Sequence, residues 1–333
     1  VFIRGFSSME VIMRTMLAAA GCVAALIAPT LPHAQGGAGN YPTRPITVVL
    51  PVASGVAHDG EVRAWTDLRS ASLGQPIVRD NKPGGGTIPA SVAVANAKPD
   101  GYTLGTATIN LALIPLRYDD APIDPVKSFE QISVLNKRLT ALLVTTQTPI
   151  RNVKEYIAYA KAHPGELNFA TAGEGSIDHI TGTWLMSDTG TKVTFIHYKS
   201  SGLQQSDMLA GRVHLSTVSL SEGGTYGALM GGGKVRNIGV AALTRSPLAP
   251  DVPTFDEQGV KGFEVPSFVG FQAPAKTPGA IISRLHAEVV KASKDPELQK
   301  RLGAGTVITA TTPTEYRQML QGYTERYRRL AKD

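Results

Sequence analysis

Short apolar runs alternate with longer mixed segments along most of the chain. Residues 46–50 form a β-branched run that ends at Pro51, which predicts a buried strand of a parallel sheet. The mixed segment after it predicts a helix over 58–73, and this order of strand, small-residue loop and helix recurs. Further strands are predicted at 76–79, from 102, and at 167–171, 193–198, 213–218 and 235–241, with further helices at 87–97, 153–162, 177–186, 203–210, 278–294 and 314–330.

This alternation predicts an α/β protein with mostly parallel sheets covered by helices. A chain of 333 residues is longer than one compact core usually supports, so two lobes are expected. Parallel α/β sheets bind ligands at the carboxyl ends of their strands. Several of those ends are followed here by Gly, Ser and Thr.

Four loops join a predicted strand to the start of a helix and consist of small or hydroxyl residues. A helix start offers unpaired backbone N–H groups and a partial positive charge, so such loops are suited to an anion. Each loop taken alone is more often an ordinary helix N-cap, whereas two in each half of the chain favour a shared site. The loops contain Ser54 and Gly55; Gly85, Gly86 and Thr87; Gly175 and Ser176; and Ser200 and Ser201.

Other site chemistries find little support. No stretch fits the phosphate-binding Gly-x-x-x-x-Gly-Lys-Ser/Thr pattern, and the glycines at 84–86 lack dinucleotide spacing. Ser176 and His179 do not satisfy the Gly-x-Ser-x-Gly pattern of a serine hydrolase, and the seven histidines show no paired metal-ligand spacing. We therefore expect no catalysis, no metal and no cofactor. His179 is interpreted either as a ligand contact or as a packing residue, and Asp59 either as a site residue or as a surface acid at a helix start.

The first 34 residues differ from the rest. Arg14 precedes an apolar run over 16–28 that is followed by Pro29, which is typical of a secretory signal peptide with cleavage predicted after Ala34. The run is shorter than a bilayer crossing requires. Cys22, the single cysteine, alternatively marks a lipoprotein. The net charge of +6 comes from scattered basic residues and does not indicate nucleic-acid binding.

A set of motifs from about residue 41 to 330 resembles the substrate-binding receptors of tripartite tricarboxylate transporters, the Bug family. The motifs occur in the following order: Tyr41-Pro-Thr-Arg-Pro-Ile46, Pro51 with Gly55 and Asp59, Asn81-Lys-Pro-Gly-Gly-Gly86, Pro99-Asp-Gly-Tyr-Thr-Leu104, Ala170-Thr-Ala-Gly-Glu-Gly-Ser-Ile-Asp-His179, Tyr198-Lys-Ser-Ser201, Arg245-Ser-Pro-Leu-Ala-Pro-Asp-Val-Pro-Thr254 and Ala273-Pro-Ala-Lys-Thr-Pro278.

The resemblance implies a periplasmic binding protein of the type II-like fold, a monomer in which two lobes joined by a hinge close on a small carboxylate. It implies a first lobe of 41–137 plus 268–333 and a second lobe of 138–267. It further implies delivery of the ligand to a membrane permease, and docking of the closed receptor on a signalling protein is the alternative. By match to the motifs, the ligand-binding residues are Ser54, Gly55, Asp59, Gly85, Gly86, Thr87, Thr108, Thr171, Gly175, Ser176, His179, Ser200 and Ser201.

The chain departs from the family pattern mainly in its first loop. Val52 replaces an aromatic residue, Val56 replaces a second glycine, and Ala57 stands where a hydroxyl residue is common. Because a branched residue disfavours positive φ, Val56 predicts a different path for this loop. Asp59 is expected to receive an amino group where the ligand carries one. The resemblance leaves the identity of the carboxylate open.

Overall fold

A computed structural model of the protein describes residues 40–84, 87–117, 120–174, 176–199, 201–220, 225–265 and 267–330. The predicted signal peptide and Cys22 lie outside these residues, as do Gly85, Gly86, Gly175 and Ser200.

The described chain forms eleven strands and ten helices. The strands are β1 (Ile46–Leu50), β2 (Ile77–Asn81), β3 (Thr103–Ala107), β4 (Phe129–Arg138), β5 (Thr140–Thr145), β6 (Asn168–Thr171), β7 (Thr194–His197), β8 (Leu215–Ser219), β9 (Val235–Val240), β10 (Ser267–Pro274) and β11 (Thr306–Ile308). The helices are α1 (Ala57–Leu73), α2 (Ile88–Ala95), α3 (Asn110–Arg117), α4 (Val153–Ala162), α5 (Ile177–Thr189), α6 (Ser201–Leu209), α7 (Thr225–Met230), α8 (Gly279–Ser293), α9 (Pro296–Leu302) and α10 (Pro313–Leu330).

The strands form two sheets. The first has six strands in the order β11-β4-β10-β3-β1-β2, and the second has five in the order β7-β6-β8-β5-β9. In the first sheet β1 is parallel to β2 and β3, whereas β10 is antiparallel to β3 and β4, and β11 is antiparallel to β4. In the second sheet β6 is parallel to β7 and β8, whereas β5 is antiparallel to β8 and β9.

The α/β class and the two-sheet architecture are confirmed, but the sheets are mixed rather than mostly parallel. The antiparallel pairs all involve β4, β5, β10 or β11, which sequence patterning did not identify. Among the described residues, no helix lies between β4 and β5 or between β9 and β10. β4 continues into β5 across the single residue Leu139, and β10 returns the chain to the first sheet. A strand without a crossover helix is free to pair antiparallel.

Buried apolar clusters hold the layers together. On one face of the first sheet, α1 and α8 pack through Trp65, Leu285 and their neighbours. The cluster on the opposite face includes residues of α2, α3 and α10, and it continues into the second sheet and α5. The outer face of the second sheet is covered by α6 and α7. The two sheets are therefore connected by one continuous core.

Helix α10 joins the first sheet to α5. Tyr316 of α10 is fully buried and its ring packs edge-to-face on Phe268 of β10. Further along α10, Tyr327 lies against the Trp184 ring at 5.0 Å between centroids, and Arg326 pairs with Asp188 of α5. Gly270 of β10 allows this packing, because a Cβ atom at that position would overlap the Tyr316 ring.

Replacement Gly270→Ala is expected to destabilise the protein by about 1–3 kcal/mol, because the added methyl group overpacks a buried contact that has no room to relax. Urea denaturation monitored by circular dichroism measures the loss. The matched control is Gly322→Ala on α10, where a Cβ atom meets nothing within 4 Å. That change is expected to be neutral or stabilising by up to about 1 kcal/mol, since it removes a helical glycine. Equal effects of the two substitutions would contradict the packing explanation.

Candidate functional site

The candidate site lies where the two sheets meet. In the first sheet, the pairing directions place the carboxyl ends of β1, β2 and β3 at the same edge as Arg138, the last residue of β4. In the second sheet, Thr140 at the start of β5 pairs with Ser219 at the end of β8, which is parallel to β6. Because only Leu139 separates β4 from β5, both sets of carboxyl ends adjoin this crossing. We call these two regions the crossover edges: the carboxyl ends of β1–β4 in the first sheet and those of β6–β9 in the second.

The loop between β1 and α1 is built around an internal carboxylate. Asp59 is 1% exposed and accepts hydrogen bonds from the Gly55 N–H at 3.0 Å and from the Asn81 side-chain amide at 3.2 Å. The Ser54 hydroxyl lies 3.5 Å from the same carboxylate, and Arg63 lies 3.7 Å from it. Burial raises the pKa of Asp59, but these donors outweigh burial and hold the pKa below its usual value. Both carboxylate oxygens therefore accept a hydrogen bond from inside the protein.

The conformation of this loop also explains how Val56 is accommodated. The positive φ, +85°, falls on Gly55, whereas Val56 has an extended backbone with φ −77°. The predicted change of path is therefore not required, because the branched residue occupies a region that suits it. The Val56 side chain is 43% exposed beside the start of α1.

Thr87 begins α2 in an unusual backbone conformation. Its φ is +83°, a region that residues with a Cβ rarely adopt, and its N–H donates to the Gly84 carbonyl at 3.2 Å. Its hydroxyl oxygen is buried and has no hydrogen-bond partner among the described residues. A strained residue with an unsatisfied hydroxyl at a helix start is a feature often found at functional sites.

Two threonines lie at the end of β3, Thr106 within the strand and Thr108 directly after it. The Thr106 hydroxyl is 2.9 Å from His58 Nε2, and Thr108 Oγ1 accepts a hydrogen bond from the Asn110 N–H at the start of α3. Burial, together with the positive charge of Arg138, lowers the pKa of His58 to about 4. His58 is therefore neutral at pH 7 and contributes hydrogen bonding rather than charge.

In the second sheet, Thr171 organises the loop that leads into α5. Thr171 is fully buried; its hydroxyl lies 2.6 Å from His197 Nδ1 and accepts a hydrogen bond from the Gly173 N–H at 3.2 Å. Ser176 caps α5 by accepting from the His179 N–H at 3.3 Å. The structure therefore brings Thr171, Ser176 and His179 together at one strand end.

The His179 side chain takes part in an aromatic cluster. Its ring centroid lies 4.7 Å from that of Phe195 and 5.8 Å from that of His197. His179 therefore packs on these two rings next to the loop. Helix α6 begins at Ser201, two residues earlier than the predicted boundary at 203, so Ser201 is at a helix start as expected.

Two polar groups at the crossover edges were not identified from the sequence. In the first, Glu61 of α1 pairs with Arg138 and accepts from Asn136, which in turn accepts from the buried Trp65 indole. In the second, Asp178 accepts hydrogen bonds from the Thr217 hydroxyl and the Ala172 N–H. Neither group shows a recognisable spacing, because its members come from strands and helices that are distant in the sequence. The described ranges contain no cluster of three or more His, Cys, Asp or Glu side chains arranged to hold a metal ion.

Comparison with known proteins identifies the family. The chain belongs to the tripartite tricarboxylate transporter family receptors, since the model of that family (TctC) matches residues 62–333. A UPF0065 protein of Cupriavidus necator, from the gbd 5' region, is 34% identical over 87% of each chain. Solved structures of the family include a periplasmic binding protein, BugD.

Two solved structures contain carboxylate ligands. MatC from Rhodopseudomonas palustris with bound malate is 29% identical, with a TM-score of 0.68 over 87% of this chain and 100% of that chain. A second R. palustris protein, with adipate, is 28% identical, with a TM-score of 0.69 over 88% of this chain and 97% of that chain. The periplasmic binding protein fold expected from the sequence is thereby confirmed. None of the helices in the described part of the chain combines the length and the apolar character that a bilayer crossing requires.

Replacement Asp59→Asn is expected to lower the free energy of unfolding at pH 7 by about 2 kcal/mol, because hydrogen bonds to a buried carboxylate are lost or reversed. The pKa of Asp59 is lower in the folded state than in the unfolded state. The ionised carboxylate therefore stabilises the fold fully at pH values above its unfolded-state pKa of about 3.9, and this stabilisation is lost as the pH falls through the folded-state pKa. Urea denaturation should therefore show a smaller difference in the free energy of unfolding between wild type and variant at pH 3 than at pH 7. Asp251→Asn on the surface is the control. An equal loss at both pH values would exclude the charge as the cause.

Proposed function

We propose that the protein is an extracytoplasmic receptor that captures a small organic carboxylate at the crossover edges by lobe closure and delivers it to a membrane permease. The main support for this proposal is that the ends of several strands lie together at the crossover edges, and that β1, β2, β3, β6 and β7 each lead into a helix. The chain also belongs to a family of receptors. Relatives with bound malate and adipate support a carboxylate as the ligand.

We assign residues 41–137 and 268–333 to the first lobe and 138–267 to the second. The assignment is supported by sheet membership, since β1–β4, β10 and β11 form one sheet and β5–β9 form the other. The hinge is assigned to Leu139, where the chain passes from the first sheet to the second. Short connections of this kind absorb the backbone rotation when two lobes close.

In this proposal, backbone N–H groups and hydroxyls at the helix starts hold the carboxylate. The first lobe contributes Ser54, Gly55, Thr87 and Thr108, and the second contributes Thr171, Ser176 and Ser201, with His179 beside them. Gly85, Gly86, Gly175 and Ser200 are assigned to the same loops. Asp59 acts by holding the Gly55 loop in place. We further propose that the protein acts as a monomer in the periplasm and binds its ligand without turnover.

Isothermal titration of the protein lacking residues 1–34 against a carboxylate panel tests the proposal. The panel contains malate, citrate, adipate, hexanoate and benzoate, and the expected result is saturable binding of at least one acid. Nuclear magnetic resonance of the acids after incubation checks for turnover. A folded protein that binds none of these acids, or that converts one of them, would contradict the proposed function.

Replacement Thr171→Val is expected to weaken carboxylate binding about tenfold, because the 172–176 loop loses the hydroxyl that accepts from Gly173 and contacts His197. Titration with an acid that binds the wild type measures this loss. Thr194→Val is the matched control: Thr194 lies at the amino end of β7, and its hydroxyl donates to the Gly165 carbonyl at 2.8 Å. The control is expected to keep wild-type affinity. Equal affinity in all three proteins would exclude the Thr171 loop from the site.

A further inference from the structure

A cavity of about 230 Å³ opens at the crossover edge of the second sheet, beside the loops assigned to the carboxylate. Much of its wall is apolar and is provided by the β6–α5 loop, α5, α6, β8 and α7. The apolar lining residues are Ala172, Ile177, Met208, Val218 and Leu229. The cavity is smaller than the usual range for a whole drug-sized ligand, so it suits one part of a small molecule.

The polar lining groups are largely hydrogen-bonded to one another. The Gln204 amide donates to the Ser216 hydroxyl at 2.6 Å and to the Ala170 carbonyl at 3.3 Å. The Thr217 hydroxyl donates to Asp178, which also accepts from the Ala172 N–H. Because these partners lie inside the protein, the cavity offers a ligand mainly apolar contact.

The charge around the cavity disfavours a second anion. Asp178 lines it and is only 8% exposed, and the lining residues of the described chain include no Lys, Arg or His. Burial raises the pKa of Asp178, although hydrogen bonds from Thr217 and Ala172 oppose this effect. A ligand carboxylate placed in the cavity would lose its hydration next to a buried acid and gain no cation in return.

Some large apolar side chains are also exposed after strand ends. Among the described residues, five large apolar side chains are exposed, and three of them follow strand ends at the crossover edges: Val56, Leu203 and Leu243. Val56 follows β1, Leu203 lies in the first turn of α6 after β7, and Leu243 follows β9.

From these observations we infer that the ligand is a monocarboxylate with an uncharged, apolar tail, a short aliphatic chain or a single ring, and that the tail occupies the cavity lined by Ile177, Met208 and Leu229. This inference rests on the proposed function, since the helix starts must hold the carboxylate. Each methylene group moved from water into the cavity raises the affinity roughly threefold to fourfold. A second carboxylate at the end of the tail removes that gain.

Hexanoate and adipate form a matched pair that tests the inference, because they share a six-carbon chain and differ in one terminal carboxylate. Titration of the wild-type protein at pH 7 is expected to give at least tenfold tighter binding of hexanoate. Tighter or equal binding of adipate would overturn the inference and leave the proposed function intact. Binding of malate or citrate alone would have the same meaning. If a folded protein binds no carboxylate, the proposed function fails and this inference fails with it.

A charge introduced into the cavity provides a second test. Ser219 lies at the end of β8 and lines the cavity. Ser219→Lys is expected to raise the affinity for adipate relative to hexanoate at least tenfold, since the new cation pairs with the terminal carboxylate. The control Thr146→Lys adds the same charge just after β5, at the opposite edge of the sheet, and is expected to leave the ratio unchanged. If a folded Ser219→Lys protein keeps the wild-type ratio of adipate to hexanoate affinity, or if the control changes that ratio equally, the ligand tail does not occupy this cavity and the inference is wrong.

Discussion

Only Leu139, itself buried, lies between Arg138 at the end of β4 and Thr140 at the start of β5. A connection this short leaves the chain no slack, so the edge of the first sheet at which β4 ends must adjoin the edge of the second at which β5 begins. In the first sheet, β10 pairs antiparallel with both β3 and β4, so β3 and β4 run in the same direction. In the second sheet, β8 runs opposite to β5 and ends where β5 begins. The parallel strands of both sheets therefore end at those same edges. The antiparallel strands that depart from the predicted pattern therefore bring the strand ends of the two sheets together.

A buried polar network holds this crossing to α1. Glu61 of α1 is 6% exposed and pairs with Arg138, and the Asn136 side chain links Glu61 to the Trp65 indole. Burial raises the pKa of Glu61, while Arg138 opposes the rise. Such pairs add little net stability, but removing one partner leaves an uncompensated buried charge, so they favour one arrangement strongly over others. Because α1 begins at the Gly55 loop, the network also fixes the position of that loop relative to the crossing.

The sequence predicted those parts of the fold in which local pattern and tertiary structure agree. The bounds of β1 and α4 match, α1 and α10 begin one residue earlier than predicted, and α8 is one residue shorter at each end. The sequence pattern missed β4, β5 and β10. Their residues are buried on both faces or interrupted by bulges, so they show neither the alternation of a half-buried strand nor the period of an amphipathic helix. Thr171 and Ser176 were placed at a strand end by a loop motif, and the structure has them there, whereas the contacts of Glu61, Arg138 and Asp178 join segments that no local motif links. Asp59 was placed at the site but its role was not predicted, because its partner Asn81 belongs to another strand.

The three residues expected to depart from the family pattern, Val52, Val56 and Ala57, bear on the surface of the first loop rather than on its construction. The loop is held by the Asp59 carboxylate on the Gly55 N–H and by the Asn81 amide on the Val52 carbonyl, and neither bond uses the side chain of Val52, Val56 or Ala57. Positive φ remains on glycine. What changes is the surface beside the helix start, where a branched apolar side chain stands in place of glycine and a methyl group in place of a hydroxyl. A helix start with fewer side-chain donors binds an anion mainly through backbone N–H groups, which distinguish poorly between one carboxylate and another. Under the proposed function, discrimination then depends on the other groups that surround the bound carboxylate.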